Sequence, residues 1–99
     1  MIYIITMAKA WSVALKQGFF ETDALQSEGF IHACTDSQLT IVMKKFYDNI
    51  ENCVILHVNE SKLLPKVIYE LSPTFNEAFP HIYGTVNIDA VENVSIAIA

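Results

Sequence analysis

An imidazole and a phenol two residues apart, bracketed by a proline and a glycine, make residues 79–84 (Phe79-Pro80-His81-Ile82-Tyr83-Gly84) the most chemically informative stretch of the sequence. Proline fixes φ and withholds a backbone donor, and glycine admits φ > 0, so the backbone is constrained on both sides of the pair. On extended chain, residues two apart project to the same side, so His81 and Tyr83 would present hydrogen-bonding groups to one surface. His32, in Gly29-Phe30-Ile31-His32-Ala33-Cys34, and Glu70, in Val67-Ile68-Tyr69-Glu70-Leu71, interrupt apolar stretches, and buried polar groups require partners or solvent. One shared pocket would satisfy all four. His32, Glu70, His81 and Tyr83 are therefore the candidate ligand-binding residues. Glu70 and His32 are the catalytic candidates: if Glu70 faces a cleft, its pKa can be raised and it can act as general base or hydrogen-bond acceptor. The structural alternative makes His32 a hydrogen-bonded core imidazole, Glu70 a solvated strand end and Tyr83 a packing ring.

Other chemistry has weaker signals. His57 shares a strand face with Cys53 and Ile55. His32, Cys34, His57 and His81 lack the paired Cys and His spacings of structural zinc sites, so no metal site is expected. His32 and Cys34 on one strand would stand ~7 Å apart, too far for a thiolate–imidazole pair. With two cysteines in apolar contexts and no secretory signal, the expectation is a reduced, cytoplasmic protein. The N-terminal residues read as a strand, without a basic n-region or long apolar h-region, and no apolar run suggests a membrane span. Eleven acids oppose six bases for a net charge of −5, and every base is Lys. An acidic chain without Arg lacks the bidentate phosphate grip that nucleic-acid binding favours, so no nucleic-acid partner is expected.

The elements that must position these groups follow from patterning. Ninety-nine residues, 53% of them hydrophobic and 11% aromatic, suffice for one domain spanning 1–99 with its own core. Residues 2–6 predict a strand, then Thr6 caps a helix over about 7–17 with Trp11, Ala14 and Leu15 on one face and Gly18 as its stop. Residues 19–28 read as irregular, with a short extended piece at Phe19 and Phe20, and residues 29–34 as a buried strand. Thr35-Asp36-Ser37-Gln38 is a capping box opening a helix to about 47, whose Leu39, Val42, Met43 and Phe46 form a stripe expected to be buried. Strands follow at 53–58, apolar on both faces and so central, at 67–71, and near 94–98, with a turn at 61–64 ended by Pro65. Asp89 and Glu92 frame a short turn before the last strand. The result is an α+β domain with two helices packed on a twisted sheet of about five or six strands. No G-x-G-x-x-G follows a strand, which excludes a Rossmann site.

In order and separation, Ile2–Thr6, Glu28-Gly29-Phe30-Ile31-His32, Cys53–Val58, Val67–Glu70, Phe79–Gly84 and Ile88–Val91 resemble the bacterial domain-of-unknown-function family numbered 952 over essentially the whole chain. The resemblance implies a split-sheet fold similar to that of the ADP-ribosyltransferases and RNA 2′-phosphotransferases, with an NAD-binding cleft. Two positions depart from the family pattern: Ile4 stands where a first-strand His is typical, and Ala24 where a Ser is typical. Ile4 and the lack of Arg disfavour NAD as cofactor. The expectation is accordingly a small-molecule-binding domain that need not be catalytic. The alternative is an active NAD-consuming or nucleotide-modifying enzyme using the same residues.

Overall fold

In the computed structural model, which describes residues 1–47 and 50–97, the β-branched run Ile2–Met7 forms β1. It pairs antiparallel with β4 (Cys53–Val58), which pairs on its other edge with β8 (Val91–Ile96). The central place of β4 follows from its apolar residues on both faces. A second antiparallel sheet has the order β3-β6-β5, from Ile31–His32, Glu77–Tyr83 and Lys66–Ser72. A third consists of β2 (Phe19–Phe20) and β7 (Val86–Asn87). Backbone bonds in both directions between Tyr3 and Cys34, at 2.8 and 2.9 Å, stitch β1 to the chain just after β3. That bridge connects the two larger sheets.

Among the described residues, three α-helices accompany the sheets: α1 (Ala8–Gln17), α2 (Asp23–Glu28) and α3 (Leu39–Phe46). Gly18 and Gly29 end α1 and α2 with φ of 93° and 91°, the left-handed conformation in which glycine meets no Cβ penalty. The Thr35–Gln38 capping box forms and opens a 3-10 turn over Asp36–Gln38 that runs into α3. Ile2, Ile4, Ala14, Phe20, Ile31, Leu56, Val58, Ile82 and Val86 make one contiguous buried core drawn from all three sheets and α1. Each large apolar side chain there contributes about 1.5–3 kcal/mol by leaving water. No helix among the described residues is long and apolar enough to cross a membrane.

Several expectations change. Residues 23–28 form a third helix rather than irregular chain. Six residues are too few to display an apolar period, and only the Gly29 stop marked it. The residue preceding α1 is Met7, without a side-chain cap, because Thr6 is held in β1 opposite Val54. Leu15 is exposed. The expected strand at 29–34 shortens to Ile31–His32. The last strand begins at Val91, and its expected end at Ile98 lies outside the described residues. Most consequentially, Leu39, Val42 and Met43 on α3 are only half-buried and Phe46 is 53% exposed. Two of the stripe's four residues, Val42 and Phe46, line an open cleft rather than filled core.

Candidate ligand-binding cleft

Register builds the site. On β5 and β6, Glu70 pairs with Phe79 and Ile68 with His81, so Glu70 and His81 are diagonal neighbours on one face, with Tyr83 two residues further on. On the other side of β6, His81 pairs directly with His32. The four residues singled out in the sequence are thus brought to one face of one sheet.

Glu70 is the hub. Its Oε1 accepts from His81 Nδ1 at 2.8 Å and from the Tyr83 hydroxyl. The Tyr83 and His81 hydrogen bonds hold the Glu70 carboxyl below the usual carboxylate range, outweighing partial burial, and the same bond pushes the Tyr83 phenol up. The raised Glu70 pKa expected from an apolar setting is therefore corrected: two donors stabilise the charged form more than desolvation opposes it. An ionised carboxylate can only accept, so His81 carries a proton on Nδ1 in this bond, and in the neutral ring Nε2 is the acceptor. Nε2 has no protein partner among the described residues.

Phe30 locks the imidazoles. Its ring stacks on His81 with centroids 4.0 Å apart and planes within 10°, and meets His32 edge-on at 4.9 Å. His32 and His81 are themselves T-shaped at 5.4 Å. The His32 side chain is 58% exposed and its Nε2 lies 3.1 Å from Glu28 Oε2, so the core-imidazole alternative does not hold. Strand alternation places Phe30 on the side of His32, but Phe30 was not among the candidate site residues.

His32 and His81 line a cleft of about 540 Å³. Val42, Phe46 and Tyr47 at α3 form one wall, and Leu71, Pro73 and Phe75 around the β5–β6 connection form the other. Phe79 and Ala33 complete the floor. Of the four residues expected to share one pocket, His32 and His81 line it, whereas Glu70 and Tyr83 do not and reach it only through the Glu70–His81 bond. Phe46, Phe75 and Phe79 contact one another in series, at 5.9 Å edge-to-face and 5.3 Å tilted. The two walls are tied by Gln38, which is 5% exposed. Its Oε1 caps the Thr35 amide at 3.0 Å, and its Nε2 donates to the Ala78 carbonyl at 2.9 Å and to Glu77 at 3.2 Å. One amide side chain thus starts the helix and fixes its distance from β6.

A recess of about 50 Å³ sharing His32, Ala33, Val42 and Tyr47 is lined further by Tyr3, Ile5 and Cys34. Burial pushes the Cys34 thiol up to about 12, so it is an inert core group at neutral pH. His57 bonds Ser95 Oγ at 2.8 Å and meets Tyr3 edge-on, away from the cleft lining. Among the described residues, no group of three or more His, Cys, Asp or Glu side chains is placed to hold a metal ion. Ile4 is 2% exposed within the core. Position 4 therefore belongs to the core rather than to the cleft wall.

The family model described as a protein of unknown function (DUF952) matches residues 5–94, and the chain belongs to that family. The crystal structure of protein CC0527 from Caulobacter crescentus is similar with a TM-score of 0.86 and 28% sequence identity, covering 96% of this chain and 83% of that one. Its solution NMR structure gives a TM-score of 0.82 at 28% identity, over 96% and 82% of the two chains. No curated protein matches.

Proposed function

We propose that this member of the DUF952 family binds a small, largely aromatic molecule in the cleft between α3 and the β5–β6 connection. The observation that carries the reading is the pairing of an open, apolar-walled cavity with an imidazole fixed by Glu70 and Phe30. Ligand pockets combine apolar walls with a few preset polar groups in this way. Holding His81 in one tautomer and orientation before the ligand arrives lowers the ordering cost of binding. The implied likeness to ADP-ribosyltransferases extends, in this reading, to a cleft beside a strand-borne Glu. It does not extend to NAD, because neither Lys nor Arg lines the cleft to meet a pyrophosphate.

Proton transfer is the second reading, favoured by the Glu70-held His81, whose free Nε2 is arranged as a general base would be. Saturation-transfer NMR with a set of small aromatic compounds, NAD and ADP-ribose tests the primary reading. Aromatic compounds that bind the native chain and fail on the His81→Ala variant support it. Sub-micromolar NAD binding would instead promote the NAD-consuming enzyme.

A further inference from the structure

The charge distribution around the cleft narrows its ligand. No Lys or Arg is among the lining residues. The nearby bases do not compensate: Lys44 and Lys45 on α3 and Lys66 on β5 are exposed and take no part in the lining. Carboxylates, in contrast, stand directly behind the lining groups. Glu28 bonds His32, Glu70 bonds His81, and Glu77 pairs across the strands with Ser72, a lining residue. The walls add three phenyl rings, Phe46, Phe75 and Phe79, set edge-on or tilted to one another. Aromatic faces attract cations through the ring quadrupole, and aromatic cages hold alkylated ammonium groups by this attraction. The chain's net charge of −5 acts in the same direction at longer range.

We propose that the cleft is selective for an organic cation: an alkyl- or arylammonium without phosphate, its charge against the phenyl rings and within reach of the carboxylate-backed imidazoles. This rests on the reading of the cleft as a small-molecule site. At neutral Nε2, His81 accepts a hydrogen bond, so a ligand N–H donor completes the match. A carboxylate- or phosphate-bearing ligand would meet the field of Glu28, Glu70 and Glu77 with no Lys or Arg among the lining residues.

Three probes of one shape separate the claims: phenethylammonium, uncharged 2-phenylethanol and anionic 3-phenylpropionate, titrated at pH 7.5 and low salt with amide chemical shifts recorded. The expected result is binding at Ala33, Phe75, Phe79 and His81, with the ammonium at least about fivefold tighter than the anion. The Glu70→Gln variant, its fold verified from the same spectra, should reduce that ratio, and Glu28→Gln should reduce it independently. A ratio below fivefold, or one unchanged in both variants, overturns the cation selectivity while leaving the cleft a ligand site. Failure of all three probes to shift these residues overturns both readings.

Discussion

At the scale of single residues, the decisive fact is that one oxygen of Glu70 serves two donors. A depressed carboxyl pKa in the folded state stabilises the fold above the unfolded-state value, and that contribution is lost as pH falls through the lower folded value. The native chain should therefore melt higher than Glu70→Gln at pH 7, with the gap closing toward pH 3. Thermal melts across that range check this, and a pH-independent gap would contradict it. His81→Ala should remain folded but lose the Phe30 stack, worth about 1 kcal/mol, or roughly 4–8 °C in Tm for a domain of this size. His32→Ala, at an exposed position, should cost less than about 0.5 kcal/mol in the same melts. His32, Glu70, His81 and Tyr83 were visible in the sequence because polar groups interrupting apolar strands need partners. The direction of the Glu70 shift was not visible, because it depends on donors 11 and 13 residues away.

At the scale of elements, α3 separates what periodicity tells from what it does not. The capping box and the Leu39–Phe46 spacing fixed where the helix starts and which face turns inward. Spacing carries no information on whether the space under that face is filled. Leu56, fully buried in β4, should cost about 2–5 kcal/mol on truncation to Ala, whereas half-buried Leu39 should cost distinctly less. Phe46→Ala should leave Tm nearly unchanged and weaken binding of aromatic probes, a split that denaturation and titration read separately. Gly84 takes the positive φ, 158°, that its type admits, and a Cβ there would also lie 2.8 Å from the Pro65 Cβ, so backbone conformation and close approach both exclude a side chain. Gly84→Ala should accordingly destabilise the fold by shifting the start of β5.

At the scale of the whole molecule, the cleft is a product of sheet pairing between distant segments. β3 and β5 flank β6, and the Tyr3–Cys34 bridge sets that sheet against β1. The α+β class and most strand positions were legible from β-branched runs and turn residues. The Phe30 stack and the facing walls at Phe46 and Phe75 were not, because they follow from register and from the Gln38 tie. Ile4 shows the same lesson in reverse: the family comparison suggested a site position, yet the side chain belongs to the core. Ile4→His should therefore lower stability by burying an imidazole without a partner and should confer no NAD affinity. A ligand held in the cleft against His81 is the premise of both functional readings. The most direct measurement is a crystal structure of the chain soaked with phenethylammonium. The expected pose places the ammonium against the phenyl rings of Phe46, Phe75 and Phe79, donating to His81 Nε2. A molecule bound only elsewhere on the surface, with the cleft holding solvent alone, would contradict it.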